Sequence, residues 1–151
     1  IISGPAANGE IQLRTRACRE WFDDRHLPEP FFAEGDFTPA SGSRSAEQLL
    51  NSHPELTALF CFNDQMAVGA LHQAKAQGLS VPAQLSVVGF DDNELAVFAD
   101  PALTTVAQPL ELLGVQAIAL AQRLIAGEPL SPQPLLLPTL MVRGSTAAPR
   151  H

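Results

Sequence analysis

Short apolar runs alternate with helical periodicities along almost the whole chain, and this alternation limits the fold more than any other feature. Leu85-Ser86-Val87-Val88-Gly89-Phe90 is the strongest run. Its near-continuous apolar character is that of a strand covered on both faces in a parallel sheet. Residues 59–62 form a shorter run of the same kind, 31–34 and 104–106 read as extended, and 135–142 is a last apolar run after the proline-rich 129–134. Helical patterns lie between them. Over 9–25, Leu13, Ala17, Cys18, Trp21 and Phe22 recur at three- and four-residue spacing, and 41–52 carries Leu49 and Leu50 inward behind a hydroxyl cap. After Asn63-Asp64, the residues Met66, Ala67, Ala70, Leu71 and Ala74 make an apolar face that stops at Gly78, and a long helix over 110–126 ends at Gly127. Strands and helices alternating at these lengths predict an α/β fold, a doubly wound parallel sheet with right-handed crossovers.

Composition narrows the function. The 151 residues are 46% apolar, enough for one sizeable core, and the net charge of −7 argues against a phosphate-binding surface in this segment. Any DNA contact is therefore expected from another part of the protein. No run of apolar residues is long enough to span a membrane. Cys18 and Cys61 are too few and too far apart for a disulfide framework or a zinc site, and both read as buried thiols. The opening Ile1-Ile2-Ser3-Gly4-Pro5 resembles the tail of a strand entering a loop, without initiator Met or signal segment. The chain is expected to be the C-terminal part of something longer.

Doubly wound sheets bind ligands in the crevice outside the carboxyl ends of their strands. That rule singles out the loop after Ile2, the residues after Glu34, the pair Asn63-Asp64, and the pair Asp91-Asp92. A carboxylate at Asp91 or Asp92 accepts hydrogen bonds from neighbouring hydroxyls of a polyol, or else caps the next short helix. Asn63 and Asp64 carry the same two readings. Arg14, on the first helix, is either a solvated charge or a fork donor to ligand oxygens. Phe37, in a polar loop, either tucks into the core or offers a flat face to a sugar ring or a base.

Catalytic signatures are poor. His26, His53 and His72 are scattered, His151 is terminal, and no nucleophile elbow, zinc-helix or phosphate-loop motif is written here. Asp64 and Asp91 as an acid/base pair have nothing but proximity in their favour. No catalytic residue, metal or cofactor is expected.

Several segments, in order, resemble the LacI/GalR family of bacterial transcription regulators. Ile2-Ser3-Gly4-Pro5 precedes a helix bearing Arg14; Glu34-Gly35-Asp36-Phe37 leads to Ser41-Gly42; Thr57-Ala58-Leu59 leads to Asn63-Asp64-Gln65-Met66-Ala67-Val68-Gly69-Ala70. Val81-Pro82 leads to Leu85-Ser86-Val87-Val88-Gly89-Phe90-Asp91-Asp92, and Pro101-Ala102-Leu103-Thr104-Thr105-Val106 to Gln108-Pro109. The resemblance implies a two-lobed, periplasmic-binding-protein-like core. Residues 1–106 would form its C-terminal lobe, 107–128 a crossover helix of the N-terminal lobe, and 129–151 a return strand and tail. The helix-turn-helix head that reads operator DNA would be absent from this chain. It further implies a cytoplasmic, non-enzymatic regulator, a homodimer or homotetramer, with dimer contacts at Met66, Ala70, Leu71, Ala74 and Phe98.

Effector positions implied by the resemblance are Arg14, Phe37, Asn63, Asp91 and Gln108, together with Asn8 and Glu10. Asn8 and Glu10 stand where the purine-responsive branch of the family uses an Arg and a Thr. That favours a sugar or sugar derivative as effector. A periplasmic sugar-binding protein of a transporter shares the two-lobed fold and is the alternative expectation.

Overall fold

A computed structural model of the chain describes residues 1–148. Its elements run β1 (Ile2–Ser3), α1 (Gly9–Asp23), β2 (Ala33–Glu34), α2 (Pro39–Ser52), β3 (Ala58–Phe60), α3 (Asp64–Ala76), β4 (Ser86–Val88), α4 (Glu94–Phe98), β5 (Thr105–Ala107), α5 (Leu110–Ile125) and β6 (Thr139–Met141). The end of the expected C-terminal tail, with His151, lies outside the described residues.

Parallel pairing joins β1 to β2 and β3 to β4, and β5 pairs antiparallel with β6. Parallel bridges Ile2–Cys61, Val88–Thr104 and Asp91–Ala107 close the seams, so the strand order is β2-β1-β3-β4-β5-β6. This is the doubly wound sheet expected from the sequence. The last strand differs, lying antiparallel on the edge. The crossover from β1 to β2 runs one way and all later ones run the other. Right-handed crossovers then put α1 on one face and α2, α3 and α4 on the opposite face, with the switch point between β1 and β3.

Side-chain caps set the helix starts. Asn8 accepts from the amides of Glu10 and Ile11, Thr38 from Ser41, Asn63 from Met66 and Asn93 from Leu95. The hydroxyl cap of α2 is thus Thr38, with Pro39 in the first turn, two residues earlier than the periodicity indicates. The short helix α4 follows the Asp91-Asp92 loop, but its cap is Asn93 rather than either aspartate.

The core lies between the sheet and the α2–α3 layer, around Ile2, Leu49, Leu59, Phe62, Met66, Leu85, Val87 and Leu103. The two helices meet backbone to backbone. A side chain at Gly42 would collide with the Met66 backbone, and one at Gly69 with the Pro39 carbonyl.

Three expectations need correction. Leu13 and Trp21 on α1 are exposed, whereas Ile11 is buried and Arg14, Cys18 and Phe22 are half-buried, so the inward stripe is turned by about one residue. The strand β4 is fully covered only at Val87, because the face under α1 carries a single helix with one buried residue. Met66, Ala70, Leu71 and Ala74 are enclosed in this chain's own core against α2 and the sheet, and are unavailable to a partner, whereas Phe98 is 84% exposed.

Helix α5 stands apart. None of its residues is buried, and Leu110, Val115, Ile118 and Ile125 all face outward. An apolar helix exposed on every side has no partner within the described residues. Among the described residues, no helix is long and apolar enough to cross a membrane.

Candidate functional site

Each of the five parallel strands delivers one of the singled-out residues at its carboxyl end. Asn8 follows β1, Phe37 follows β2, Asn63 follows β3, Asp91 follows β4 and Gln108 follows β5. Arg14 reaches the same rim from the second turn of α1, where Nη1 donates to the Phe62 carbonyl at 2.7 Å. Its guanidinium lies over the Phe90 ring, 3.9 Å from the centroid, and 5.4 Å from that of Phe62.

Asp91 is half-buried, with φ of 116°, in a left-handed conformation that few side chains adopt. Its amide donates to the Val106 carbonyl at 3.0 Å, and its Oδ1 accepts from Gln108 Nε2 at 2.8 Å. Burial pushes the Asp91 carboxyl above its ordinary range, while the Gln108 bond and the nearby Arg14 charge pull it back. Arg14 and Asp91 form no direct ion pair. Both therefore keep hydrogen-bonding capacity toward the crevice: Oδ2 on Asp91, and the remaining N–H groups on Arg14.

Phe37 also has a left-handed backbone, with φ of 68°, and its ring packs over Gly4, where any side chain would collide with it. Half-buried, it combines the two readings of the sequence: it is packed against the core cluster and still partly open at the rim. Asn63 spends its oxygen on the α3 cap and donates Nδ2 to the Phe37 carbonyl at 3.0 Å. One N–H remains for a ligand. The Asn8 oxygen is committed to capping α1, and Glu10 is exposed in the first turn of that helix.

Asp64 has a different place from the one its neighbour suggests. It is fully buried, and accepts from the Thr105 hydroxyl through Oδ1 and from the Asn93 amide through Oδ2. A side chain at Gly89 would collide with this carboxylate, which explains the glycine at the end of the apolar run. A carboxylate closed off from solvent cannot exchange protons with a substrate, and the Asp64–Asp91 acid/base idea falls with it. Its task is to bind β5 and the α4 cap to the start of α3. Cys61 is likewise buried, its thiol pushed up to about 12 by desolvation, which leaves it inert as expected. Cys18 is only half-buried.

One ion pair was not legible beforehand. Arg143, after β6, places Nη2 2.6 Å from Asp92 Oδ1, a charge contact without hydrogen-bond alignment, since that buried oxygen has no hydrogen-bond donor. Arg143 also donates through Nη1 to the Leu103 carbonyl at 3.0 Å. Nothing in the sequence links positions 51 residues apart, so only the return of β6 reveals the pair.

The rim is open. A concavity of about 470 Å³ between α1 and β2 contains none of Arg14, Phe37, Asn63, Asp91 or Gln108. A second hollow, about 530 Å³, includes Gln108 but is otherwise walled by the first turns of α5.

A doubly wound sheet whose successive strand ends present an aromatic ring, an amide, a carboxylate and a second amide has the layout in which α/β sheets bind ligands. Residues 1–146 match the periplasmic binding protein-like domain. The chain belongs to that family in its LacI/GalR form. It is 45% identical over 119 residues to the HTH-type transcriptional repressor CytR of Escherichia coli (strain K12), covering 78% of this chain and 35% of that protein. The HTH-type transcriptional repressor PurR of Proteus mirabilis (strain HI4320) is 41% identical over 124 residues, covering 80% and 36%. Among solved structures, a dimeric Lac repressor with an 11-residue C-terminal deletion superposes with a TM-score of 0.91 at 33% identity, covering 99% of this chain and 55% of that one. A complex of the transcriptional regulator CelR with cellobiose gives 0.87 at 35%, covering 95% and 45%. The chain spans about a third of the length of the curated relatives it matches. Those relatives are transcriptional repressors rather than enzymes, and they do not favour the transport alternative.

Proposed function

We propose that this chain is the effector-binding and dimerisation part of a cytoplasmic transcriptional repressor that senses a sugar or sugar derivative. The observation that carries the reading is the convergence of Phe37, Asn63, Asp91 and Gln108 from successive strand ends, with Arg14 facing them. A half-exposed ring beside a carboxylate, a guanidinium and two amides is the chemistry that recognises a polyol ring. Asn8 and Glu10 border the same rim from the start of α1.

The open rim and the bare helix α5 support a second lobe. In this reading residues 1–106 form the C-terminal lobe, 107–128 belong to the N-terminal lobe, and 129–151 return as strand and tail. Effector would bind between the lobes and act only through a difference in affinity between their closure states. Operator DNA would be read by a helix-turn-helix head outside this chain. The homodimer or homotetramer contact includes Phe98, whose exposed neighbours Leu95 and Val97 extend the same apolar patch.

The test is calorimetric titration of the full-length protein with cellobiose and a panel of monosaccharides, beside a purine base. The expected result is saturable binding of a saccharide that Asp91→Ala abolishes while the circular dichroism spectrum is unchanged. Binding of the purine alone, or saccharide affinity unchanged in Asp91→Ala, overturns the reading.

A further inference from the structure

We propose that Phe90 is a positioning residue for this site, its ring holding the Arg14 guanidinium in the place from which it serves the rim. The proposal deepens the effector-site reading and rests on it for the site's purpose.

An arginine on a helix has a long, mobile stem, and one hydrogen bond leaves its guanidinium free to swing. Here the Phe62 carbonyl takes one N–H of Arg14. The Phe90 ring, 3.9 Å from the guanidinium carbon, covers the guanidinium as a second constraint. Phe62 is fully buried, whereas Phe90 is only half-buried and lies outside the core cluster. Core filling alone therefore does not account for an aromatic at position 90.

Chain order supplies the rest. Phe90 directly precedes Asp91, and both follow β4. Asp91 turns with φ of 116°, and its amide is fixed to the Val106 carbonyl. One strand end thus sets both arms of a pincer: the carboxylate directly, and the guanidinium through the ring. The two charges are near enough for Arg14 to favour the ionised carboxylate, yet they do not pair directly. A ring that holds the cation keeps this gap open for a ligand.

The test needs no effector, so it can fail while sugar binding stands, and sugar binding can fail while it succeeds. In the unaltered full-length protein, the Arg14 Nε–H proton is expected upfield of its ordinary position through the ring current of Phe90. In carbon-detected NMR, the Asp91 carboxyl is expected to titrate at higher pH in Phe90→Leu and in Arg14→Gln. The double variant is expected to titrate no higher than Arg14→Gln alone, and Phe90→Tyr to restore the wild-type titration. An Arg14 proton at its ordinary position overturns the proposal, even where Phe90→Leu does not fold. So do an Asp91 titration unmoved by Phe90→Leu, one unmoved by Arg14→Gln, or a Phe90→Tyr protein that behaves like Phe90→Leu.

Discussion

Gln108 donates from Nε2 to Asp91 Oδ1 at 2.8 Å, and so ties the residue that leaves the sheet toward α5 to the carboxylate at the end of β4. The backbone repeats the link, since the Asp91 amide donates to Val106. A ligand hydroxyl that donates to Asp91, through Oδ2 or the remaining lone pair of Oδ1, shares this carboxylate with Gln108. Occupancy of the rim and the path of the chain toward α5 are therefore joined at one carboxylate.

Removing that donor has a signed consequence. The Gln108 bond holds the Asp91 carboxyl down against the upward push of burial. Gln108→Leu is expected to move the Asp91 titration to higher pH and to reduce stability by about 1 kcal/mol, the usual worth of a part-buried hydrogen bond. Carbon-detected NMR titration and urea unfolding measure the two effects. An Asp91 titration at the wild-type pH would show that the bond is not maintained in solution.

Asp64 gives a pH dependence. Desolvation raises its carboxyl above the ordinary 3.8, outweighing the bonds from Thr105 and Asn93. The folded chain therefore keeps a proton that the unfolded chain has released. Stability is depressed above the raised value, increases as pH falls through it, and reaches its full gain below 3.8. Wild type is expected to gain in urea midpoint relative to Asp64→Asn as pH is lowered from about 7 toward about 4. A constant difference between the two proteins over that span contradicts the assignment.

Thr105→Val tests the same buried carboxylate from its partner's side. Valine matches the shape of threonine but leaves Asp64 Oδ1 without its hydroxyl donor in a fully buried place. A loss of about 1–3 kcal/mol is expected from unfolding curves, because a fully buried acceptor loses its donor. Thr105→Ser, which keeps the donor, is expected to lose less than half as much.

The α2–α3 contact separates two kinds of glycine. Gly42 and Gly69 each sit against the other helix's backbone or its entry, which cannot retreat as a side chain does, while Gly9 has open space around it. Gly42→Ala and Gly69→Ala are each expected to destabilise by about 1–3 kcal/mol or more. Gly9→Ala is expected to be neutral or to stabilise by up to about 1 kcal/mol through the unfolded chain. Thermal unfolding of the three variants, side by side, checks the order.

Local signals explain what was readable beforehand. The alternation of strands and helices survives in the structure because caps such as Asn63 and stops such as Gly78 act within a few residues. The rim positions were readable because strand ends lie where apolar runs stop. The inward stripe of α1 departs from its apolar periodicity because apolarity is not burial: Arg14 occupies a place on that stripe while Trp21 does not. The apolar periodicity of Met66, Ala70, Leu71 and Ala74 does not distinguish a partner contact from this chain's own core, which is where the four lie. Gln108 with Asp91, Thr105 with Asp64, and Arg143 with Asp92 are tertiary pairs that no spacing rule connects.

The Asp92–Arg143 pair is the most exacting of these to remove. Both side chains are about four-fifths buried, and among the described residues Arg143 provides the compensating charge for an Asp92 oxygen that has no hydrogen-bond donor there. Asp92 also sits at φ of 57°, next to Asp91 at 116°, so two consecutive residues hold left-handed backbone that surrounding contacts must maintain. Arg143→Met keeps most of the side-chain volume and removes the charge. The expected loss is about 2–4 kcal/mol, below the full penalty of a wholly buried broken pair because both groups retain some solvent. Asp92→Asn in the Arg143→Met background is expected to recover part of that loss, since the uncompensated charge disappears while the turn residue remains one that tolerates left-handed backbone. Urea unfolding of the two single variants and the double variant measures the coupling. Strictly additive losses would show that the ion pair does not hold the Asp91-Asp92 turn.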